Sequence, residues 1–260
     1  MGAIQYPVPH LPMLGKGSLL VDVFDDLGNL TGYQHLGNCT KVEQDIKDDK
    51  DELYQSINST PSLIAAAVKK RQVMLTITGT DFSSDHMALA FMSAGKTQLA
   101  IVASPVVGEA LASATATKKG KFFATAQRNI DPTTVSVLNP GALTAGVDFI
   151  VADAVQGLIY FPLTSGVNDT VAVTVDYTPI AATFDQVAGA VKPFVKGRLR
   201  FAPDPTDGQK IGIEWWHVNL SPTGKLGLIS DAYGNWDLEA MVLDDSANHP
   251  LSPYFLATFY

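Results

Sequence analysis

Apolar and polar residues alternate with period two over much of the chain. Val73, Leu75 and Ile77 interleave with Met74, Thr76 and Thr78, and Val171, Val173, Val175 and Tyr177 form a second clean alternation. This period sends successive side chains to opposite faces of a pleated strand. Further strands are expected at 18–24, 62–68, 98–103, 122–126, 135–137, 149–151, 158–161, 197–201, 210–218, 225–229 and 236–242. The turn Asp25-Asp26-Leu27-Gly28-Asn29 folds the first strand back through 31–36. One short helix is predicted where the Ser83 hydroxyl precedes Met87, Ala90 and Phe91 at helical spacing. Residues 183–190 fit a helix or an irregular strand. Residues 41–52 are too charge-dense for a core element and read as an exposed loop or short helix. The sum is a mainly β chain, an antiparallel β-sandwich or half-barrel with a flanking short α-helix. No Gly/Ser linker divides it. The expected organisation is an extended arm at 1–17 bearing Pro7, Pro9 and Pro12, one domain at 18–245 containing a loop at 40–62, and a C-terminal segment at 246–260.

Composition narrows the class. Of 260 residues, 46% are hydrophobic and only 17% charged, which excludes an intrinsically disordered chain. A single cysteine excludes an intrachain disulfide. The balance of 18 Lys+Arg against 26 Asp+Glu, a net charge of -8, argues against a nucleic-acid binder that grips phosphates. The low charged fraction suggests a surface partly hidden against copies of the same chain. No apolar run approaches the ~18 residues of a membrane span, and 1–17 lacks a signal-peptide pattern, so neither membrane insertion nor secretion is expected.

Candidate chemistry is sparse. Gly15-Lys16-Gly17-Ser18 lacks the glycine spacing of a phosphate loop. His10, His35, His86, His217 and His249 form no close pair, so no metal site is expected. Cys39 has no base nearby in sequence. The acidic turns at 25–29 and 204–208 match no calcium-loop series. No nucleophile and base pair can be read, and the expectation is a protein without catalysis or cofactor. The adjacent Trp215 and Trp216 should face opposite sides of a strand, one toward a core and one outward as an interface anchor or sugar platform. The aromatic end, with Phe259 and Tyr260, is a further candidate interface. Asn38, Asn58, Asn168 and Asn219 begin Asn-x-Ser/Thr patterns, which stay unmodified in a chain without a signal.

Four stretches carry a resemblance. They are the opening hairpin (Val21-Asp22-Val23-Phe24 through Tyr33, then Leu36-Gly37-Asn38); Val73 to Ser83 leading into Met87-Ala88-Leu89-Ala90-Phe91; Gly146-Val147-Asp148-Phe149 with Gly157 to Phe161 and Val171 to Tyr177; and Gly197 to Phe201 with Trp216 to Pro222 and Leu226 to Ser230. In this order, over roughly 18–245, the chain resembles the tail tube (major tail) proteins of long-tailed bacteriophages. The resemblance implies hexameric rings that stack helically into a hollow tube for DNA delivery, assembled in the host cytoplasm. It implies partners too: other copies of the chain, a tape measure protein in the lumen, and tail terminator and distal tail proteins at the ends. DNA would pass without specific binding. On this reading Lys41, Glu43, Asp45, Lys47, Asp48, Asp49, Lys50, Asp51 and Glu52, with the arm, make ring-to-ring contacts. Asp176, Glu214, Asp237 and Glu239 are candidate lumen acids, which would repel phosphate. The alternatives are another phage tail-assembly protein, such as a contractile-tail inner tube or tail terminator, and a soluble carbohydrate-binding β-sandwich.

Overall fold

The computed structural model describes residues 15–57, 60, 62–205, 208–223, 226–227, 229 and 231–260. Residues 1–14 of the expected arm, His10, Asn58 and the centre of the 204–208 turn therefore lie outside the described residues. The architecture is mostly antiparallel β with one short helix. The chain divides into two compact units, one formed by 1–96 with 187–260 and the other by 97–186, where the sequence suggested one domain over 18–245.

In the first unit, β1 (Gly17–Val23), β2 (Gln34–His35), β3 (Cys39–Gln55), β4 (Ser62–Gly79) and α1 (Ser84–Ala90) precede the insertion. The second unit carries β5 (Lys96–Ile101), β6 (Val106–Ala112), β7 (Lys121–Ala124), β8 (Ser136–Leu138), β9 (Ile150–Asp153), β10 (Leu158–Phe161), β11 (Val173–Tyr177) and β12 (Ala182–Val187). The first unit then resumes with β13 (Val195–Pro203), β14 (Ile211–Pro222), β15 (Trp236–Val242) and β16 (Phe255–Phe259).

One eight-stranded sheet organises the first unit, in the order β2-β1-β13-β14-β15-β4-β3, with β16 also beside β14. Alternate residues of these strands form its core: Leu19 and Val21, Leu199, Val218 and Leu220, Leu238 and Ala240, and Val73, Leu75 and Ile77 are all buried. The helix begins where expected, with the Ser83 hydroxyl accepting from the His86 amide at 3.3 Å, and it buries Met87 against this core. Gly79 has no Cβ because the Trp236 ring occupies that space. The Trp236 Nε1 donates to the Asp81 carbonyl at 2.8 Å, which holds the chain where it enters the helix.

Other elements are now placed. Residues 41–52 are neither loop nor helix but most of β3, paired with β4 along its whole length. Of the two alternatives for 183–190 the structure has the strand: 183–187 belong to β12. The aromatic end is β16, paired with β14 from Ile211↔Phe259 to Trp215↔Phe255. Of the strand expected at 225–229, the described residues Leu226, Gly227 and Ile229 are not in a strand.

In the second unit, β7-β10-β9 and β6-β11-β8 form two three-stranded sheets, and β5 pairs with β12. Ile159, Phe161, Val137, Val173, Val175 and Tyr177 belong to its own core. Burial and the adjacent Glu109 carboxylate push the Tyr177 phenol up to about 12. It donates to Glu109 and accepts from the Gln127 amide at 3.0 Å.

Candidate functional site

The most distinctive surface of the first unit is the β3–β4 hairpin. β15 supports β4 only over Val73–Gly79, whereas β3 and β4 continue to the pair Gln55↔Ser62. Beyond Lys47↔Gln72 the two strands have, among the described residues, only each other as ladder partners. A lone two-stranded ribbon is marginally stable in water, so this extension needs a cover to hold its shape firmly.

Most charges expected to make contacts in this region are paired within it. Lys41 meets Glu43 at 2.9 Å, Lys47 meets Asp45 at 3.0 Å, and Lys69 meets Asp51 at 2.8 Å. Asp48 accepts from Arg71 through both oxygens, at 2.7 and 2.9 Å, which holds its carboxyl below the usual range. Glu52 accepts from the Tyr54 hydroxyl. Asp49 and Lys50 lie on the same strand, opposite Lys70 and Val68. Charge reading missed the apolar residues of the ribbon, which lie on both of its faces: Leu53, Tyr54, Leu63, Ile64 and Val68, with Ile57 at the tip, are all exposed. Their signal was the run from Leu63 to Val68, which the sequence presents as an ordinary buried strand.

The candidate lumen acids separate. On the face of the sheet opposite the core, Thr78 is flanked by Lys41 and Asp237, and Thr76 by Glu43 and Glu239. Asp45 lies in the next row, beside Met74. Asp237 accepts from the Thr78 hydroxyl at 2.6 Å. No basic side chain pairs with Asp237 or Glu239 among the described residues. Glu214 is neutralised by Arg200 at 3.0 Å. Asp176 belongs to the second unit, where it accepts from the Gly108 amide at 2.6 Å.

The candidate aromatics separate as well. Trp215 is 2% exposed and donates to Gln44 at 2.8 Å, so it is a core residue and not an interface anchor. Trp216 is covered by the chain itself: the His249 ring stacks on it with centroids 3.9 Å apart, and its Nε1 donates to the Ser252 carbonyl at 2.8 Å. His249 Nδ1 hydrogen-bonds Asp245 at 2.7 Å, which fixes the ring over the indole. Phe259 and Tyr260 remain exposed.

A cavity of about 280 Å³ opens beside the core of the sheet, lined in part by Leu19, Cys39, Val42, Leu75, Phe201 and Trp215. Burial pushes the Cys39 thiol up to about 11, so it stays protonated at neutral pH and is a poor nucleophile. Among the described residues no group of three or more His, Cys, Asp or Glu is placed to hold a metal ion, and no helix is long and apolar enough to cross a membrane. The surfaces on which this unit has most to offer are thus a projecting ribbon and an acid-bearing sheet face.

No curated protein matches the chain. Residues 12–257 match the family described as protein of unknown function UCP028589, and the chain belongs to that family.

Proposed function

We propose that the chain is a structural subunit, not an enzyme, that assembles into stacked hexameric rings of a phage tail tube through which DNA is delivered. The observation that carries this reading is the β3–β4 ribbon, which runs past its own sheet with Leu53, Tyr54, Leu63, Ile64 and Val68 in solvent. Such a ribbon gains stability when a neighbouring subunit covers it. Within the extension Asp48 pairs with Arg71 and Asp51 with Lys69, which lowers the cost of burying those charges against a neighbour. The contact assignment therefore moves from the charged residues of 41–52 to the apolar ones at the far end.

Asp237 and Glu239 are the residues proposed to line the bore; Glu43 and Asp45 share their face but are paired with Lys41 and Lys47. Unpaired carboxylates there repel phosphate and let DNA slide without being held. Glu214 and Asp176 are dropped from that set, because one is neutralised and the other sits in the inserted unit. A repeated head-to-tail contact generates rings when the rotation closes and an open stack along the axis.

Electron microscopy of the purified full chain tests the reading. Stacked rings with an open bore are expected, and Leu63→Asp with Ile64→Asp should abolish stacking while leaving the far-ultraviolet circular dichroism unchanged. A monomer at every concentration and salt condition, absent from tail particles, overturns the proposal.

A further inference from the structure

The second unit plays no part in the assembly reading, yet it has a surface of its own. In the sheet β7-β10-β9, Phe123, Ile159 and Val151 turn toward the core, so the residues between them face outward. Phe122 and Tyr160 stand directly opposite each other with ring centroids 4.6 Å apart, and Ile150 flanks Tyr160 on the other side. The next row along the strands is Ala124, Leu158 and Asp153. An irregularity at Leu158/Ile159 makes Ala152 the extra residue and brings Asp153 into this row. The two rows are about 7 Å apart, two strand residues. Phe122 is 59% exposed, with one ring side against Tyr160 and the rest open. Asp153 is the only charged residue in the two rows. One of its oxygens accepts from the Gln156 amide at 3.0 Å, and no basic side chain pairs with it among the described residues.

We propose that this face binds a neutral saccharide, with a sugar ring against Phe122 and its hydroxyls donating to the Asp153 carboxylate. The occupant follows from the chemistry of the face. Two rows across three strands cover on the order of 10² Å², far below the ~800 Å² per partner of a stable protein interface. A second copy laid flat on the face would also bury the Asp153 charge and the Tyr160 hydroxyl without partners, which is costly. A nucleic acid finds no base here and meets a like charge at Asp153. A sugar ring presents an apolar C–H face to the aromatic side chain and hydroxyl donors at its rim. A carboxylate has two oxygens able to accept from neighbouring hydroxyls. The small Ala124 and Ala152 leave room beside the aromatic pair. This proposal is independent of the tube reading and stands or falls without it.

Saturation-transfer NMR and calorimetric titration of the full chain with maltohexaose, cellohexaose, laminarihexaose and chitohexaose test it. At least one is expected to bind with a roughly millimolar or tighter dissociation constant. Phe122→Ala and Asp153→Ala should each weaken that binding by about tenfold or more, while Leu163→Ala, an exposed residue outside the two rows, leaves it unchanged. Absence of binding by all four sugars overturns the proposal. So does binding that neither Phe122→Ala nor Asp153→Ala weakens, or a change in sedimentation caused by those two variants in the absence of any sugar.

Discussion

Asp22 and Lys118 are both fully buried, and the two units accommodate them differently. Asp22 lies on β1 within the large sheet. It accepts from the Thr31 and Gly32 amides at 2.9 and 2.8 Å and faces Arg198 on the paired strand β13 at 2.9 Å. Burial alone would raise its carboxyl. The two amides and the guanidinium outweigh that and hold it below the usual range. Lys118 lies between strands. Its ammonium donates to the carbonyls of Ala116 and Asp169 at 2.8 and 2.7 Å, and its own amide donates to the Asp169 carboxylate at 2.7 Å. Asn139 does similar work nearby, donating to the Val171 carbonyl at 2.9 Å and accepting from the Asn168 amide at 2.6 Å. The difference teaches how each core is closed. Long ladders carry the first unit, and its buried charge pins one hairpin turn. The second unit has strands of three to seven residues, and side chains that bond to backbone tie its loops together.

The sharpest way to break this comparison is to remove the second unit. Thr97 Oγ1 reaches the Gln186 carbonyl at 3.5 Å, so Lys96 and Val187 leave the insertion from neighbouring positions. Joining them by a short turn should leave a chain that unfolds cooperatively in denaturant with β-type circular dichroism. A chain that fails to fold would show that the ladders of the first unit do not suffice alone. Next in size, Asp22→Ala should cost on the order of 3 kcal/mol in urea unfolding, because Arg198 and two amides lose their acceptor. The same carboxyl sets a pH dependence. Its native pKa is depressed, so its contribution is complete above the unfolded value and fades as pH falls below about 4 toward the native one. Acid titration of wild type and Asp22→Ala should therefore converge at the acid end. Asn139→Ala should cost about 2 kcal/mol, seen in the melting of the second unit alone. The smallest effect belongs to the ribbon: Asp48→Ala breaks an exposed ion pair and should leave the melting temperature within replicate scatter.

How much of this was legible depends on whether a pattern is local. The alternation at Val73, Leu75 and Ile77 marks β4 because one face is buried and the other is not. Ser83 marks the helix because a cap acts over three residues. β3 was hidden because a projecting ribbon has solvent on both faces and needs no alternation, so its charges resemble those of a loop. The division into two units was hidden because β5 and β12, which bound the insertion, are short strands with no linker composition. The fate of Trp216 depends on His249, far along the chain, and the neutralisation of Glu214 depends on Arg200 across a strand pair. Neighbouring sequence carries neither fact. The apolar run at Leu63 to Val68 was visible, but period alone does not say which strands are left uncovered.

The pairing of β1 with β13 also bears on when the protein can fold as it is made. Asp22 and Arg198 are separated by 176 residues, and Thr78 and Asp237 by 159. At ribosomal speeds of about 5–20 residues per second, β1 waits roughly 10–35 s for its partner. The inserted unit has all its strands in one continuous stretch and meets no such delay. It can be complete while β1, β3 and β4 are still without their central neighbours. During synthesis the order of events is therefore the reverse of the order of sizes: the small unit matures first. The large sheet, and with it any surface built on that sheet, comes into existence only after β13, β14 and β15 have emerged.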